Sequence, residues 1–252
     1  MQTYRARRVL RAERRGSSWP VVIDTDAGSF FTKLRGAAQA PASLVAEIIV
    51  GALADAIDLS VPARVLIEIP PQVETDDRRD ELLQLLEFST GLNVGFQYLP
   101  GVRDFQVQDI TRVDPRTAST IVWLDGLVQN PDRTPRNPNL LWQHDRLWLI
   151  DHGACLGFQH DWSAVTERSP RLPGPAFENH VLHARATMLG ELDSGLAGLL
   201  DRPVLEAAVS AVPAAFLGQT DSEGLRRRRA AYVAFLRKRL AEPRLWGMGV
   251  GR

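Results

Sequence analysis

The amino-acid sequence predicts an α+β fold of two lobes, in which a small antiparallel sheet with one key helix precedes a mostly helical half. Short alternating or β-branched runs fill the first hundred residues, whereas helical periodicity dominates the later ones. The break at Pro100 and Gly101 in "FQYLPG" separates the two patterns. We therefore expect an N-terminal domain of residues 1–100 and a C-terminal helical domain of residues 101–252.

Three antiparallel strands are expected first, in "TYRARRVLRA", "PVVID" and "SFFTKL". Gly28, in the turn before the third strand, supplies the positive φ that a tight hairpin needs. The stretch "PASLVAEIIVGALADAIDLSVP" predicts a helix with Ser43 as its N-cap and Pro62 as its end. Its apolar residues recur at helical spacing, so one face of this helix is expected to be buried.

The remaining elements follow from the same signals. "ARVLIEI" and "NVGFQYLPG" predict strands, and "DDRRDELLQLLEFS" between them predicts an exposed amphipathic helix. Asp114 and Pro115 form the N-cap and first turn of a helix through "RTASTIVWLDGLVQN". Further helices are expected near 178–194, 203–217 and 222–240.

Composition excludes several classes of protein. The 252 residues are 44% hydrophobic, which is enough for a packed core and argues against disorder. Basic and acidic residues number 30 each, so no net charge attracts nucleic acid or an anionic membrane. Direct nucleic-acid binding is therefore not expected. The single cysteine, Cys155, and the lack of a long apolar run predict a cytoplasmic protein that does not span a membrane and keeps this residue as a buried thiol.

The stretch "LVQNPDRTPRNPNLLWQHDRLWLIDHG", residues 127–153, carries the chemistry. "NLLW" and "LWLI" predict a short hairpin that Asn137 and Asn139 precede and Asp151 follows. Because the ends of paired strands lie close together, an amide oxygen and a carboxylate are expected to meet there. Such oxygen ligands suit Mg²⁺. Asp132, in the preceding loop, is placed to accept a proton from a hydroxyl that attacks a phosphate.

The spacing D-x-x-x-x-N, then a hairpin, then D-x-G resembles the protein-kinase-like fold. The fuller strings "NPDRTPRN" and "IDHG" resemble the HipA-like kinases, with phosphoinositide kinases a more distant parallel. The resemblance implies a kinase that binds ATP and Mg²⁺, with Asp132 as the catalytic residue. For the metal asparagine, the offset of five from Asp132 favours Asn137, while the position directly before "LLW" favours Asn139.

The resemblance extends upstream. Lys33 matches the lysine that binds the α- and β-phosphates, and Glu47 matches the glutamate that pairs with it. "FQYLPG" lies where kinases have the hinge that contacts the nucleotide, which implies a role for Gln97, Tyr98 and Leu99. No G-x-G-x-x-G loop is present; the turn "RRGSSWP" is the candidate for covering the phosphates, through the backbone of Gly16, Ser17 and Ser18.

Two alternatives remain open at this stage. His152 replaces the phenylalanine of the ordinary kinase motif, and the glycine-rich loop is missing, so a pseudokinase or nucleotide-binding interaction module is the rival to an active enzyme. Relatives of this fold phosphorylate proteins, lipids and small molecules, so a small-molecule kinase is a further alternative. We favour a protein Ser/Thr acceptor as the substrate.

Overall fold

The chain divides into two compact units in the computed structural model, which describes residues 1–12, 19–37, 41–174, 177–219 and 221–244. The first unit comprises Met1–Val45 and Pro62–Pro100, and the second comprises Ala46–Val61 and the chain from Gly101 onward. The sequence-based division placed residues 46–61 in the N-terminal domain, whereas the structure groups them with the second unit. The dividing point lies inside a helix, where no proline, glycine or loop signal marks it.

The first unit is built mainly from strands. Its elements, with the helix that crosses the dividing point, are β1 (Thr3–Ala12), β2 (Val21–Thr25), β3 (Gly28–Lys33), α1 (Ala42–Ala56), β4 (Arg64–Ile69), β5 (Glu74–Thr75), α2 (Asp80–Phe88) and β6 (Gly91–Gln97). The strands predicted from the sequence are all present. The two-residue strand β5 was not predicted, because it is too short to show any periodicity.

Five strands of this unit form a closed barrel in the order β1, β2, β3, β6, β4 and back to β1, and β5 also pairs with β1. The prediction of an antiparallel sheet is therefore only partly correct, because β1 runs parallel to both β4 and β5. Strand β1 is ten residues long and has register shifts on either side of Arg8 and Val9. Such irregularities bend a strand, so its first residues pair with β4 and its later residues with β2.

The barrel encloses a tightly packed apolar core. Residues from β1, β2, β4 and α2 are buried together in it, among them Val9, Ile23, Ile67 and Leu82. At Gly95 in β6, an added Cβ would lie 2.7 Å from Cγ1 of Ile67. Glycine fits there without a shift of its neighbours, because the side chains of Val65 and Ile67 in β4 approach this strand closely.

Local turn and cap predictions have mixed outcomes in this part of the chain. Gly28 has φ +107°, which confirms the left-handed turn expected before β3. Helix α1 begins at Ala42, so Ser43 lies within the helix, and its assignment as N-cap is wrong. The same helix ends at Ala56, before Pro62. The residues between these two points include Asp58, which has φ +60°, a conformation that no continuing helix can accept.

The second unit also contains a small sheet and a set of helices. Its remaining elements are β7 (Arg103–Asp104), α3 (Pro115–Val128), β8 (Leu140–Gln143), β9 (Arg146–Leu149), α4 (Leu189–Leu199), α5 (Arg202–Ser210) and α6 (Ser222–Leu240). Strands β7, β8 and β9 form a three-stranded antiparallel sheet. The β8–β9 hairpin confirms the one predicted from "NLLW" and "LWLI".

Helix α3 is the central element of this unit. The Asp114 carboxylate accepts a hydrogen bond of 2.9 Å from the backbone N–H of Thr117, which confirms the predicted N-cap. Every residue from 118 to 128 is buried, and α3 packs against both α4 and α6. The helix predicted at 178–194 is instead a series of short 3-10 turns followed by α4, whereas α6 matches the predicted range 222–240.

Arg239 of α6 fixes the C-terminal end of α3. Its guanidinium is buried and donates to the carbonyl oxygens of Gly126 and Leu127, each at 2.6 Å. It also donates to the carbonyls of Pro170 and Leu172, each at 3.0 Å. Burial lowers the pKa of Arg239 to about 10, so the side chain stays charged at neutral pH. The carbonyls in the last turn of a helix have no N–H donor within the helix, and Arg239 supplies donors to those of α3.

We expect the substitution Arg239→Met to lower the free energy of unfolding by about 3 kcal/mol or more, because it leaves buried carbonyls without donors. Urea denaturation of the purified chain measures this. Arg237→Met is the matched control, since Arg237 is exposed on the same helix and its loss should change stability by less than about 0.5 kcal/mol. Equal effects of the two substitutions would contradict the role assigned to Arg239.

Candidate active site

The end of α3 positions the loop that carries Asp132. Gln129 terminates the helix in the left-handed conformation, with φ +56°. The backbone N–H of Asn130 then bonds to the Asp125 carbonyl at 2.8 Å. The Asn130 side-chain oxygen accepts the backbone N–H of Asp132 at 3.0 Å. Through these two hydrogen bonds, the buried residue Asn130 joins the last turn of α3 to Asp132, the residue predicted to be catalytic.

A network of side chains converges on the buried carboxylate of Asp125. Arg133 donates its Nε to Oδ2 at 2.5 Å, and Asn130 donates its Nδ2 to Oδ1 at 2.8 Å. His180 lies 2.9 Å from Oδ2 through its Nε2. Burial raises the pKa of Asp125, but the charge of Arg133 and the hydrogen bond of His180 outweigh burial and hold it below its usual range. Asp125 is therefore ionised at neutral pH.

The tautomer of His180 follows from its second hydrogen bond. Its Nδ1 accepts the backbone N–H of Leu182 at 3.0 Å and so carries no proton. The proton must then lie on Nε2, which donates to Asp125. A neutral imidazole satisfies both contacts, so the segment containing His180 is attached to α3 without adding a second positive charge.

Arg133 and Asp132 are neighbours in sequence but differ in environment. Arg133 is 1% exposed, and its Nη1 donates to the carbonyl oxygen of Asn139 at 2.5 Å. It therefore connects Asp125 of α3 to the residue that enters β8. Asp132 is exposed and forms no ion pair with any residue that the structure describes. The local alternative, a surface ion pair between Asp132 and Arg133, does not occur because Asp125 engages Arg133.

The open end of the hairpin brings Asn139 and Asp151 next to each other along the ladder. Leu140 pairs with Leu149, and the N–H of Ile150 donates to the Asn139 carbonyl at 3.1 Å. Asp151 follows directly and is exposed. Asn139 and Asp151 both have left-handed backbones, with φ +48° and +58°. These conformations end the strands and turn the two residues out of the sheet.

Asn137 and Asn139 lie in different environments. Asn137 is exposed and closes a tight turn with Thr134, in which the two residues exchange backbone hydrogen bonds of 3.1 Å. Asn139 is half-buried, and its Nδ2 is buried with no acceptor among the described residues. Of the two amides, that of Asn139 is therefore the one with a buried nitrogen that has no partner among the described residues.

Comparison with known proteins identifies the family. A family model described as HipA-like kinase matches residues 6–187, which is more than half of the chain. The chain belongs to the HipA-like kinase family. The crystal structure of CtkA, a Helicobacter pylori proinflammatory kinase, matches with a TM-score of 0.60 over 96% of each chain. The sequence identity is 10%, so this likeness concerns the fold alone.

A second comparison is local. The inclusion body clearance protein IML2 of Scheffersomyces stipitis is 34% identical to this HipA-like kinase over 94 residues. The aligned part is 34% of this chain and only 12% of that protein. The similarity therefore covers a small fraction of the yeast protein.

His152 and Glu47 form a buried contact in the HipA-like kinase. His152 replaces the phenylalanine of the ordinary kinase motif, and its Nδ1 lies 3.5 Å from Oε2 of Glu47. Both residues are at most 3% exposed. The Nε2 of His152 is buried with no hydrogen-bond partner among the described residues. The structure therefore places the polar residue that follows Asp151 directly against the predicted glutamate of α1.

Other predicted site residues lie in the first unit. Lys33 is the last residue of β3 and is 9% exposed, with its Nζ 6.0 Å from the centre of the Phe96 ring. Gln97 ends β6, Tyr98 is exposed and Leu99 is buried. The proposed phosphate loop of Gly16, Ser17 and Ser18 lies outside the described residues.

Sequence reasoning missed Asp125, Asn130 and His180 as parts of the site. Asn130 belongs to the string "NPDR", so the resemblance contained a signal for it. Asp125 lies within the apolar second half of α3, "IVWLDGLV", and such an isolated charge is a signal for a buried partner. His180 lies 55 residues from Asp125, and no local pattern indicates that contact.

Three further observations concern metals, the thiol and membranes. Within the described ranges, no three His, Cys, Asp or Glu side chains are grouped as a metal site. Cys155 is buried, as expected, and burial raises the pKa of its thiol well above the usual value. Among the described helices, none combines the length and the apolar character that crossing a bilayer requires.

We expect Arg133→Met to lower the free energy of unfolding by about 3–5 kcal/mol, because the substitution leaves the Asp125 carboxylate buried without its cation. Chemical denaturation provides the measurement. Arg136→Met serves as the control, since Arg136 is exposed three residues away. A loss below about 1 kcal/mol for Arg133→Met would show that the ion pair does not hold the loop.

Proposed function

We propose that this HipA-like kinase transfers the γ-phosphate of ATP to a hydroxyl with the help of Mg²⁺. The observation that carries the proposal is the contrast between Asp132 and its neighbours. Arg133 and Asn130 are buried and fully engaged, whereas the Asp132 carboxylate between α3 and the hairpin is exposed and unpaired within the described chain. A loop that is held in place by buried neighbours and exposes one carboxylate is the arrangement expected when that carboxylate contacts the substrate.

The donor set at the hairpin end fits magnesium. Mg²⁺ prefers oxygen ligands and is usually held by one or two carboxylates, with water and phosphate oxygens completing its coordination. Asp151 supplies an exposed carboxylate, and Asn139 supplies an amide whose nitrogen has no partner in the described part of the chain. The assignment of oxygen and nitrogen in an amide is interchangeable by rotation, so the buried position can hold the oxygen. The hairpin register supports Asn139 over Asn137, because Asn139 lies beside Asp151.

Each residue then has a role in the transfer. Asp132 orients the acceptor hydroxyl and accepts its proton as the oxygen attacks the γ-phosphorus and the bond to the β-phosphate oxygen breaks. Asp151 and an asparagine would hold the metal, which would neutralise phosphate charge when bound. Lys33 contributes positive charge toward the nucleotide phosphates, and Gln97, Tyr98 and Leu99 are the proposed contacts of the base. A protein serine or threonine is the acceptor that we favour.

The two aspartates should respond differently to substitution. Asp132→Asn should reduce phosphate transfer by about 10²–10⁴-fold while nucleotide affinity stays nearly unchanged, because it removes only the proton acceptor. Asp151→Asn should abolish the magnesium dependence of ATP binding, because it removes the carboxylate charge at the metal. Transfer of labelled phosphate and calorimetric titration with ATP, each with and without magnesium, measure the two effects.

The control for both variants is Asp145→Asn, because Asp145 is exposed in the hairpin turn at the other end of β8 and β9. This control should match the wild type. If Asp132→Asn lost ATP affinity and Asp151→Asn kept it, the two roles would be exchanged. Stabilisation by ATP with no turnover by the wild type would instead favour the nucleotide-binding module without catalysis.

Separate substitutions distinguish the two asparagines. Asn139→Gly removes the side chain and keeps the left-handed backbone, which glycine adopts without strain. Asn137→Ala removes the other amide from an exposed position. We expect Asn139→Gly to raise the magnesium concentration needed for half-maximal activity by about tenfold. Substitutions of residues that support metal ligands typically weaken metal affinity by about 10–100-fold. The opposite ranking would assign the metal to Asn137.

A further inference from the structure

A pocket of about 370 Å³ lies on the catalytic-loop side of α3. Its walls come from the end of α3, from the loop between Asn130 and Arg136, and from residues 177–180, all within the second unit. The size falls at the lower end of ligand-binding pockets, which measure about 300–1,000 Å³. Asp132 does not line it, but Pro131 and Arg133 on either side of Asp132 do.

A rigid turn holds Arg136 in the pocket wall. Thr134 and Asn137 exchange two backbone hydrogen bonds around Pro135 and Arg136. Proline at the second position of such a turn restricts its backbone further. Arg136 is exposed and has no hydrogen bond or ion pair with any described residue. Its guanidinium is therefore available to a ligand.

The charges that line the pocket do not cancel. Asp125 is ionised and Arg133 balances it within hydrogen-bonding distance. His180 is neutral, because its Nδ1 accepts a hydrogen bond. Arg136 then leaves a net charge of one positive, and Glu178 does not line the pocket although both of its neighbours do. A partly enclosed cation of this kind favours an anionic group and disfavours a cationic one.

The position of Arg136 relative to Asp132 limits where the anion can be. They are four positions apart in the sequence, so their Cα atoms are at most about 14 Å apart. An extended peptide rises about 3.3 Å per residue, so the same distance corresponds to about four residues of a bound polypeptide. The walls contributed by Pro131, Pro135 and Phe177 suit the apolar stem of a glutamate side chain.

We propose that Arg136 determines acceptor specificity by binding an acidic side chain within about four residues of the hydroxyl that is phosphorylated. The inference rests on the proposed function, because it identifies the phosphate acceptor of the proposed kinase as an acidic segment of a polypeptide. Arg136 acts through its charge and its place in the turn, and it has no part in the transfer step itself.

The test begins with binding in the absence of ATP, so that it does not depend on catalysis. Fluorescein-labelled serine peptides with glutamate, alanine or lysine at the four positions on each side of the serine are titrated with the full chain and followed by fluorescence anisotropy. The wild type should bind the glutamate peptide at least about tenfold more tightly than the lysine peptide, because Arg136 attracts glutamate and repels lysine. Arg136→Glu should abolish or reverse this preference.

The control is Arg116→Glu, which makes the same change in net charge at an exposed position near the start of α3, about 14 Å along the helix from Asp125 in the pocket wall. It should keep the wild-type preference. Circular dichroism of both variants establishes that they are folded. Equal or absent binding of all three peptides by the wild type, or an equal effect of the two substitutions, would overturn the inference.

Transfer of labelled phosphate to the same peptides separates the inference from the proposed function. Phosphorylation of all peptides with equal kcat/KM would refute the role of Arg136 and leave the kinase activity established. Arg136-dependent binding of acidic peptides without any transfer would refute the proposed activity and keep the binding site. Tighter binding of a single-stranded oligonucleotide than of the glutamate peptide, lost in Arg136→Glu, would replace the acidic polypeptide by a nucleic acid and so overturn the inference.

Discussion

The ion pair between Asp125 and Arg133 is the constraint on which the candidate site depends. One partner belongs to α3 and the other to the loop that follows it, and the same guanidinium reaches the carbonyl of Asn139 at the start of β8. Helix, loop and hairpin therefore meet at one side chain. The position of Asp132 relative to the open end of the hairpin cannot change unless these bonds break.

Burying two charges is costly, so the protein surrounds this pair with further donors. Asn130 and His180 both bond to the Asp125 carboxylate, and Arg239 occupies the carbonyls in the last turn of α3. An apolar cluster of the same volume would fill the space but would not direct the backbone of the loop. The directional bonds keep Asp132 exposed while Asn130 and Arg133 are buried, which is the arrangement that a substrate-facing carboxylate requires.

Much of the local structure was predictable because short-range signals specify it. The N-cap at Asp114, the left-handed Gly28, the β8–β9 hairpin and α6 all depend on residues within one or two turns of each other. Predictions failed where packing decides. The parallel pairing of β1 with β4, and the 3-10 turns in place of a long helix before α4, depend on which distant segments lie alongside.

The sequence by itself determined the family, the order of the motif residues and the presence of two asparagines before the hairpin. The tertiary structure alone decided that Arg133 pairs with Asp125 and not with the adjacent Asp132, and that His180 joins them from 55 residues away. It also decided that Arg136 lies beside a pocket without a partner in the described ranges. The physical reason is that a charged side chain takes the partner that burial and backbone geometry bring within reach, and sequence distance does not encode that proximity.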